Sequence, residues 1–258
     1  MRKGRVSKQE QERRIKLLLR FIFTFRYATG KQMDMFIQTI INMTYTRRLI
    51  AYSLRKGYLK VCHASLYKTK IYYLAKKGTD FIYEEECLAN DYRFEKSSLG
   101  VITYIQHNMI VEAYFQLTRH LVIKEWACAW ILRIGQHRRD FVPDSYIVLQ
   151  CGIDIALEIE TQCKKLSELK RMINFYRYDI DKKSKYYGVL MIVENKFAYE
   201  GIKKRLFRLA PEFCSRAFVL ADREMFNQGL CFYQNGVRSL EEAFNLLREK
   251  RNGQAIQF

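Results

Sequence analysis

Histidine is scarce in this sequence, and its cysteines lack the paired spacing that structural metal sites use. The four His residues are scattered, and no two are spaced as a metal pair. The seven Cys residues stand singly, at positions 62, 87, 128, 151, 163, 214 and 231, without any Cys-x-x-Cys pair. A zinc ribbon and a His-rich metal centre are therefore not expected. An odd number of unpaired Cys suits reduced thiols, which predicts a cytoplasmic location.

Long apolar runs are also missing. The run at residues 17–24 is interrupted by Arg20 and followed by Arg26, and it is too short to span a bilayer. The basic first residues are not followed by the apolar core and small-residue site of a secretory signal. We therefore expect no membrane insertion. Only 2 Pro occur in 258 residues, which favours long uninterrupted helices and strands.

Positive charge is abundant and unevenly distributed. The chain carries a formal net charge of +18, and residues 1–83 contain 19 Lys and Arg against 4 Asp and Glu. The rest contains 26 Lys and Arg against 23 Asp and Glu, so it is nearly neutral. Such a block predicts a polyanionic partner for the first third of the chain. A membrane surface would also attract it, but the sequence offers no anchor, so DNA is the expected partner.

The basic block has the element order of a winged helix-turn-helix. Apolar spacing predicts a helix over residues 11–27, and Thr29 is a plausible N-cap for a second helix ending near Ile37. A third helix runs from Asn42 or Thr44 to about Lys56 and stops at Gly57. Residues 58–63 and 67–74 then alternate as two strands of a hairpin. In such domains the third helix enters the major groove and the wing contacts the backbone.

The predicted DNA contacts follow from that order. They lie on the third helix or the wing: Thr44, Tyr45, Arg47, Arg48 and Arg55, with Lys68 and Lys70. Arginine near a helix start can reach base edges or phosphates, while wing lysines pair with phosphates. The alternative is that these charges form a solvated face.

Residues 87–97 have the composition of a linker. We therefore predict two domains, residues 1–86 and residues 98–258. The second begins with a long helix at residues 99–121, followed by a strand-like run at residues 124–132. Further apolar strands alternate with amphipathic helices to the end of the chain, which predicts an α/β (α+β) layered domain with a mixed sheet.

Three carboxylates mark a predicted hairpin in this second domain. Residues 146–150 and 153–159 are two apolar runs separated by Cys151-Gly152, which predicts two strands and a tight turn. Asp144 precedes the first strand, and Glu158 and Glu160 end the second on one face, because side chains alternate along a strand. Buried acids of like charge need a compensating cation, which predicts Mg²⁺ or Mn²⁺. The alternative is that they are ordinary strand-end acids facing solvent.

The motif Pro143-Asp144 followed by Glu158-Ile159-Glu160 resembles the PD-(D/E)xK nuclease superfamily, which implies a restriction-endonuclease-like fold for the second domain. Glu160 stands where the motif usually has Lys, as in Glu-x-Glu restriction enzymes of that superfamily. The resemblance implies that Asp144 and Glu158 hold a metal and that Glu160 is a further ligand or a base. It also implies an additional acid on the preceding helix, at Glu112. A lysine that replaces the motif Lys is then expected on the next helix, at Lys164, Lys165 or Lys170, and we place Lys170 among the catalytic candidates.

The sequence His137-Arg138-x-Asp140 precedes this motif, and the winged helix precedes both. This combination, over residues 10–200, resembles MobC-type plasmid mobilisation relaxases and the related replication-relaxation proteins. That resemblance implies a metal-dependent enzyme that nicks one strand at a plasmid transfer origin. The implied partners are this DNA, an accessory mobilisation protein and a conjugative coupling protein. The alternative function is a winged-helix regulator or replication initiator whose nuclease-like domain is catalytically silent.

Several roles stay open at this point. The attacking group is either a tyrosine, with Tyr176 and Tyr178 as candidates, or a water molecule. Arg138 and Arg139 either clamp phosphates or flank a turn. His107 and Asn108 either face the cleft or make a hydrogen bond between helices.

Overall fold

The computed structural model of the protein describes residues 7–42, 46–64, 68–83, 92–94, 100–134 and 141–255, with residues 250–255 described by their backbone alone. The chain divides into two compact units, Met1–Thr103 and Tyr104–Phe258. The described residues form a mixed α/β protein with eleven helices, one three-stranded antiparallel sheet and one seven-stranded mixed sheet. The finer domain limits, 1–86 and 98–258, stay predictions.

The first unit contains the three helices and the hairpin that the sequence predicts. Its elements are α1 (Lys8–Phe25), β1 (Ala28–Thr29), α2 (Gly30–Thr39), α3 (Thr46–Arg55), β2 (Leu59–Ala64), β3 (Thr69–Leu74) and α4 (Lys76–Tyr83). Strand β1 was not predicted, because two residues carry no periodic signal. It pairs with β3 through Ala28 and Tyr72, which gives the sheet order β1-β3-β2.

Local chemistry explains the ends of α2 and α3. Thr29 is the N-cap of α2, as predicted, and its hydroxyl and the Gln32 side chain form a reciprocal capping box. Gly57, with a φ of 74°, follows the end of α3 in the left-handed conformation that glycine tolerates best. Asn42 has a positive φ of 56°, while the alternative cap, Thr44, lies outside the described residues.

The second unit alternates helices and strands. Its elements are α5 (Val101–His120), β4 (Ile123–Cys128), α6 (Ala129–Leu132), β5 (Ser145–Leu149), β6 (Asp154–Glu160), α7 (Leu166–Asp181), β7 (Gly188–Val193), α8 (Lys196–Leu209), α9 (Pro211–Ala217), β8 (Phe218–Asp222), α10 (Arg223–Asn227), β9 (Leu230–Tyr233), β10 (Gly236–Ser239) and α11 (Leu240–Ala255). The strand expected over residues 124–132 is wrong in its last part, which is helix α6. Strand β8 begins at Phe218, directly after α9, which starts with Pro211 at its first turn.

The mixed sheet has the strand order β10-β9-β8-β7-β6-β5-β4. Strands β6, β7 and β8 are parallel, and the flanking pairs are antiparallel. The predicted hairpin is confirmed as β5 and β6, with Ser145 opposite Leu157. Its turn contains Gly152, whose φ of 81° places it in the left-handed region.

Both faces of this sheet are covered, and β6 contributes to each. Ile155, Leu157 and Ile159 pack into the core that α5 and α11 share. Ala156 faces the other core, which α7, α8 and α9 cover. Glu158 and Glu160 continue that second face, because they alternate with Leu157 and Ile159 along the strand. Among the described residues, no helix combines the length and apolar character that a membrane crossing requires.

Candidate active site

Three acidic residues meet where β5 begins and β6 ends. Asp144 directly precedes β5, and the antiparallel pairing of Ser145 with Leu157 brings it beside Glu158. Asp144, Glu158 and Glu160 line one cavity of about 580 Å³, together with Lys164 from the segment between β6 and α7. The alternative in which these acids face solvent as ordinary strand ends does not apply to the glutamates, since Glu158 and Glu160 are only 4% and 5% exposed.

Asp144 is held by a donor on each carboxylate oxygen. The Gln106 side chain on α5 donates from Nε2 to Oδ1 at 2.8 Å. The backbone N–H of Ile159 on β6 donates to Oδ2, also at 2.8 Å. Burial raises the pKa of Asp144, although both donors act in the opposite direction. Two elements distant in sequence therefore fix the orientation of this carboxyl group.

Glu158 accepts a hydrogen bond from a buried tyrosine. The Tyr176 hydroxyl on α7 donates to Glu158 Oε1, and Tyr176 is completely buried. Burial and then the Asp144 carboxylate raise the pKa of Glu158 well above its ordinary range, while Lys164 and Tyr176 oppose them. Burial and the adjacent Glu158 also raise the pKa of the Tyr176 hydroxyl.

Lys164 supplies a positive charge to this cluster. Its Nζ forms an ion pair with Glu160 Oε1 and lies 3.8 Å from Glu158 Oε2. Arg205 on α8 donates from Nη1 to the Lys164 carbonyl oxygen at 2.7 Å, which fixes the backbone from which the lysine extends. Burial lowers the pKa of Lys164, but the surrounding carboxylates raise it by more. The ammonium group therefore stays charged.

One ammonium does not balance three carboxylates in this setting. Burial raises the pKa of Glu160 to about 7 despite the opposing effect of Lys164, and the pKa values of Asp144 and Glu158 are also raised. Carboxylate oxygens are the donors that Mg²⁺ and Mn²⁺ prefer. No ready-made group of three His, Cys, Asp or Glu ligands occurs among the described residues. The three carboxyl groups on one cavity nevertheless supply the donor chemistry that fits a divalent cation.

Arginines mark the outer part of the same cavity. Arg133, just after α6, and Arg171, on α7, both line it and are exposed. Exposed guanidinium groups beside a carboxylate cluster provide donors for an anionic substrate, and phosphate is the anion that arginine binds with two parallel hydrogen bonds.

Other predicted site residues lie elsewhere or outside the described part of the chain. Glu112 on α5 is engaged by Arg223, with Nη2 to Oε1 at 2.6 Å and Nε to Oε2 at 2.9 Å. Lys165 and Lys170 are exposed and do not line the cavity, and Tyr178 is 55% exposed. His107 and Asn108 lie on α5 and are half-buried. His137, Arg138 and Arg139 lie outside the described residues.

The cavity also contains residues that the sequence did not single out. Gln106, Arg133 and Arg171 were missed, and Lys164 was one of three open alternatives. Gln106 interrupts the apolar surface of α5 next to His107, but that signal does not identify which strand it faces. Lys164 is four residues from Glu160 in a segment that precedes α7, so helical spacing could not place it.

The predicted DNA contacts of the first unit are exposed where the structure describes them. Arg47, Arg48 and Arg55 are exposed on α3. Lys68 and Lys70 are exposed at the hairpin of β2 and β3, and Lys68 has a positive φ of 48°. Thr44 and Tyr45 lie outside the described residues.

No family model matches this chain, and no curated protein or solved structure is significantly similar to it. A functional argument for the molecule therefore depends on the residues of the site and on their chemistry.

A first prediction concerns the stability cost of the buried acids. We expect Glu160→Gln to unfold less readily than the natural protein as the pH rises from about 5 to about 8. The folded carboxyl has a pKa of about 7 against 4.5 ordinarily, so folding favours its protonated form and stability is lost as the pH rises through this window. At pH 8 the free energies of unfolding of the variant and the natural protein should differ by at most about 3 kcal/mol. The gain is limited because Lys164 loses its partner in the variant.

Urea unfolding at a series of pH values without divalent ions measures this difference. Glu125→Gln, which changes an exposed glutamate on β4, is the matched control for the loss of a glutamate charge. If the stability difference for Glu160→Gln did not change with pH, the pKa of the Glu160 carboxyl would not be raised in the folded protein.

Proposed function

We propose that the protein is a metal-dependent DNA endonuclease that nicks one strand, acting as a relaxase at a plasmid transfer origin. The observation that carries the proposal is the convergence of Asp144, Glu158 and Glu160 with Lys164 on one cavity. Two nearly inaccessible glutamates are costly for folding, and such a cost is typical of functional sites.

The proposed ion is Mg²⁺ or Mn²⁺, with Asp144 and Glu158 as its principal ligands and Glu160 as a further one. When bound, such an ion supplies a Lewis acid for a phosphate oxygen and lowers the pKa of bound water. Gln106 and the Ile159 N–H orient the Asp144 carboxylate. These contacts leave lone pairs free on both of its oxygens.

Glu160 and Lys164 are suited to complementary tasks in phosphodiester hydrolysis. A carboxylate that does not coordinate the ion can accept a proton, so Glu160 is either a further ligand or the base that accepts a proton from the attacking water. The Lys164 ammonium, permanently charged in this setting, can donate to a non-bridging phosphate oxygen and stabilise its growing negative charge. Lys164 thus takes the task of the motif lysine that Glu160 replaces.

Arg133 and Arg171 support a phosphodiester as the substrate. Both are exposed and line the cavity that contains the acids. Contacts between guanidinium groups and phosphates flanking the scissile bond would hold the strand in register without reading its sequence.

The arrangement of the sheet also supports a restriction-endonuclease-like assignment for the second unit. A helix, α5, precedes the antiparallel hairpin of β5 and β6, and α7 connects β6 to the parallel strand β7. The acids lie at the start of β5 and the end of β6, in the order of the PD-(D/E)xK motif.

A winged-helix assignment of the first unit supports DNA as the partner. Its order is α1-β1-α2-α3-β2-β3, and its sheet order is β1-β3-β2. Exposed arginines on α3 and exposed lysines at the hairpin support contacts with DNA bases and backbone. The sequence resemblance alone supports the transfer origin, the accessory mobilisation protein and the coupling protein as partners. The scattered thiols support a cytoplasmic location.

A second candidate function is a non-catalytic DNA-binding regulator or replication initiator. The observation that favours it is the ion pair between Lys164 and Glu160, because a cation from the chain itself already compensates part of the acidic cluster. In that case the second unit would be a catalytically inactive module that binds a partner. Divalent ions would then neither stabilise it nor lead to cleavage of a DNA strand.

Supercoiled plasmid carrying the protein's own transfer origin separates the two functions. The endonuclease should convert it to open circles in Mg²⁺ or Mn²⁺ but not in EDTA, and a plasmid without the origin should stay supercoiled. A regulator would shift the plasmid in a binding gel and leave it uncut under all of these conditions.

A second prediction concerns base recognition by α3. We expect Arg47→Ala to weaken binding to origin DNA by about 1–3 kcal/mol, because Arg47 is exposed at the start of α3 and a guanidinium there can pair with a guanine edge. Fluorescence anisotropy with origin and unrelated duplexes measures both affinities. Lys76→Ala, an exposed charge on α4, is the control.

The pattern of loss identifies the contact. A loss confined to the origin assigns Arg47 to a base edge, whereas an equal loss on both duplexes makes it a phosphate contact. Unchanged affinity for both duplexes would exclude Arg47 from the DNA interface.

A further inference from the structure

We infer that Tyr176 is a positioning residue for Glu158 and not the nucleophile of the reaction, an inference that rests on the proposed nuclease function. It goes beyond that function because it assigns a task to a side chain that does not line the cavity. It also removes Tyr176 from the candidate nucleophiles that the sequence leaves open.

The surroundings of Tyr176 prevent its hydroxyl from meeting a phosphate. The residue is completely buried. Its ring packs against four aromatic neighbours, with centroids 5.1 Å from Phe175, 5.7 Å from Phe141, 6.0 Å from Tyr186 and 6.2 Å from Phe218. A nucleophile must approach the scissile phosphorus in line with the leaving oxygen, and a side chain enclosed in this way cannot do so without opening the core.

The same enclosure makes Tyr176 an effective holder of Glu158. A ring fixed by four aromatic neighbours presents its hydroxyl in one direction, and that hydroxyl donates to Glu158 Oε1. The other oxygen, Oε2, is then the one that lies 3.8 Å from the Lys164 ammonium. The hydrogen bond therefore determines which oxygen of Glu158 faces the charged side of the cluster.

Hydrogen bonds to metal-binding carboxylates affect the metal as well as the carboxylate. Removing such a partner typically costs about 10–100-fold in metal affinity or activity. The neighbouring acid has equivalent support, since Gln106 and Ile159 hold Asp144. Tyr176 completes this outer layer on the α7 side, and the attacking group is a water molecule or a tyrosine other than Tyr176.

Tyr176→Phe in the full-length chain tests the inference, because it keeps the ring and removes only the hydroxyl. Mn²⁺ titration by calorimetry should give an affinity about 10–100-fold weaker than that of the natural protein. Tyr233→Phe is the matched control. Tyr233 is equally buried, and its hydroxyl donates to the Arg216 carbonyl oxygen at 3.0 Å, outside the site. Thermal unfolding of both variants measures the structural cost that they share.

The outcomes separate the inference from the proposed function. Natural protein that binds no Mn²⁺ contradicts the proposed function and the inference with it. Equal Mn²⁺ affinity in the natural protein and Tyr176→Phe contradicts the inference alone, as does an equal loss in the Tyr233→Phe control. A protease-sensitive protein–DNA adduct that forms with the natural protein and disappears in Tyr176→Phe also overturns it, since Tyr176 would then be the nucleophile.

Discussion

Asp144→Asn should reduce origin nicking by about 100-fold or more, because several kcal/mol of metal-dependent stabilisation correspond to at least that factor. The substitution keeps the shape of the side chain and one acceptor oxygen. It removes the negative charge and the second acceptor, to which the Ile159 N–H or the Gln106 amide donates. Nicking rates on supercoiled origin plasmid, measured at saturating Mg²⁺, report this loss.

Asp154→Asn is the matched control for that experiment. Asp154 is the first residue of β6, and Glu158 and Glu160 lie at the end of the same strand. The control substitution therefore removes the same charge from the opposite end of that strand. Nicking by Asp154→Asn should stay within about twofold of the natural rate, because screened charges at that distance contribute little. Undiminished nicking by Asp144→Asn would remove Asp144 from the site.

Lys164→Ala should reduce both the stability of the protein and its nicking activity, and Mg²⁺ should restore only the stability. The ion pair with Glu160 is lost, and the buried glutamates are left without a cation beside them. We expect unfolding at pH 8 to become easier by about 1–3 kcal/mol, which is less than for a fully buried pair because the Lys164 side chain is 24% exposed. Millimolar Mg²⁺ should restore much of this stability, while nicking stays low because the donor to the phosphate is missing.

Chemical unfolding with and without Mg²⁺ and the plasmid assay measure these two effects. Lys165→Ala is the neighbouring control, since Lys165 is exposed and lies outside the cavity lining. Two results would contradict the role of Lys164. One is natural nicking by Lys164→Ala, and the other is a loss of stability that Mg²⁺ does not reverse.

Much of the fold is readable from the sequence because its signals are local. Alternation along β5 and β6, Gly152 between them and the N-cap at Thr29 each act within a few residues, and the structure confirms all three. Strand β1 and helix α6 were not recognised because two and four residues are too few to show a period. Their structure depends on pairing with β3 and on the end of β4.

The candidate site is only partly readable for the same reason. Asp144, Glu158 and Glu160 stand out because they flank the two strands of one hairpin. Gln106 contacts Asp144 across 38 residues of sequence, and Arg205 supports Lys164 across 41 residues. Such contacts are set by how α5 and α8 pack on the sheet, which no local pattern encodes. Glu112 appeared equally suitable on α5, yet its carboxylate pairs with Arg223.

Calorimetric titration of the full-length natural protein with Mn²⁺ at pH 8, beside the Asp144→Asn variant, tests the central claim most directly. That claim is that the acids at the start of β5 and the end of β6 bind a divalent cation. It predicts saturable binding by the natural protein that Asp144→Asn weakens by about 10-fold or more. Absence of binding by the natural protein, or equal binding by both, would contradict it.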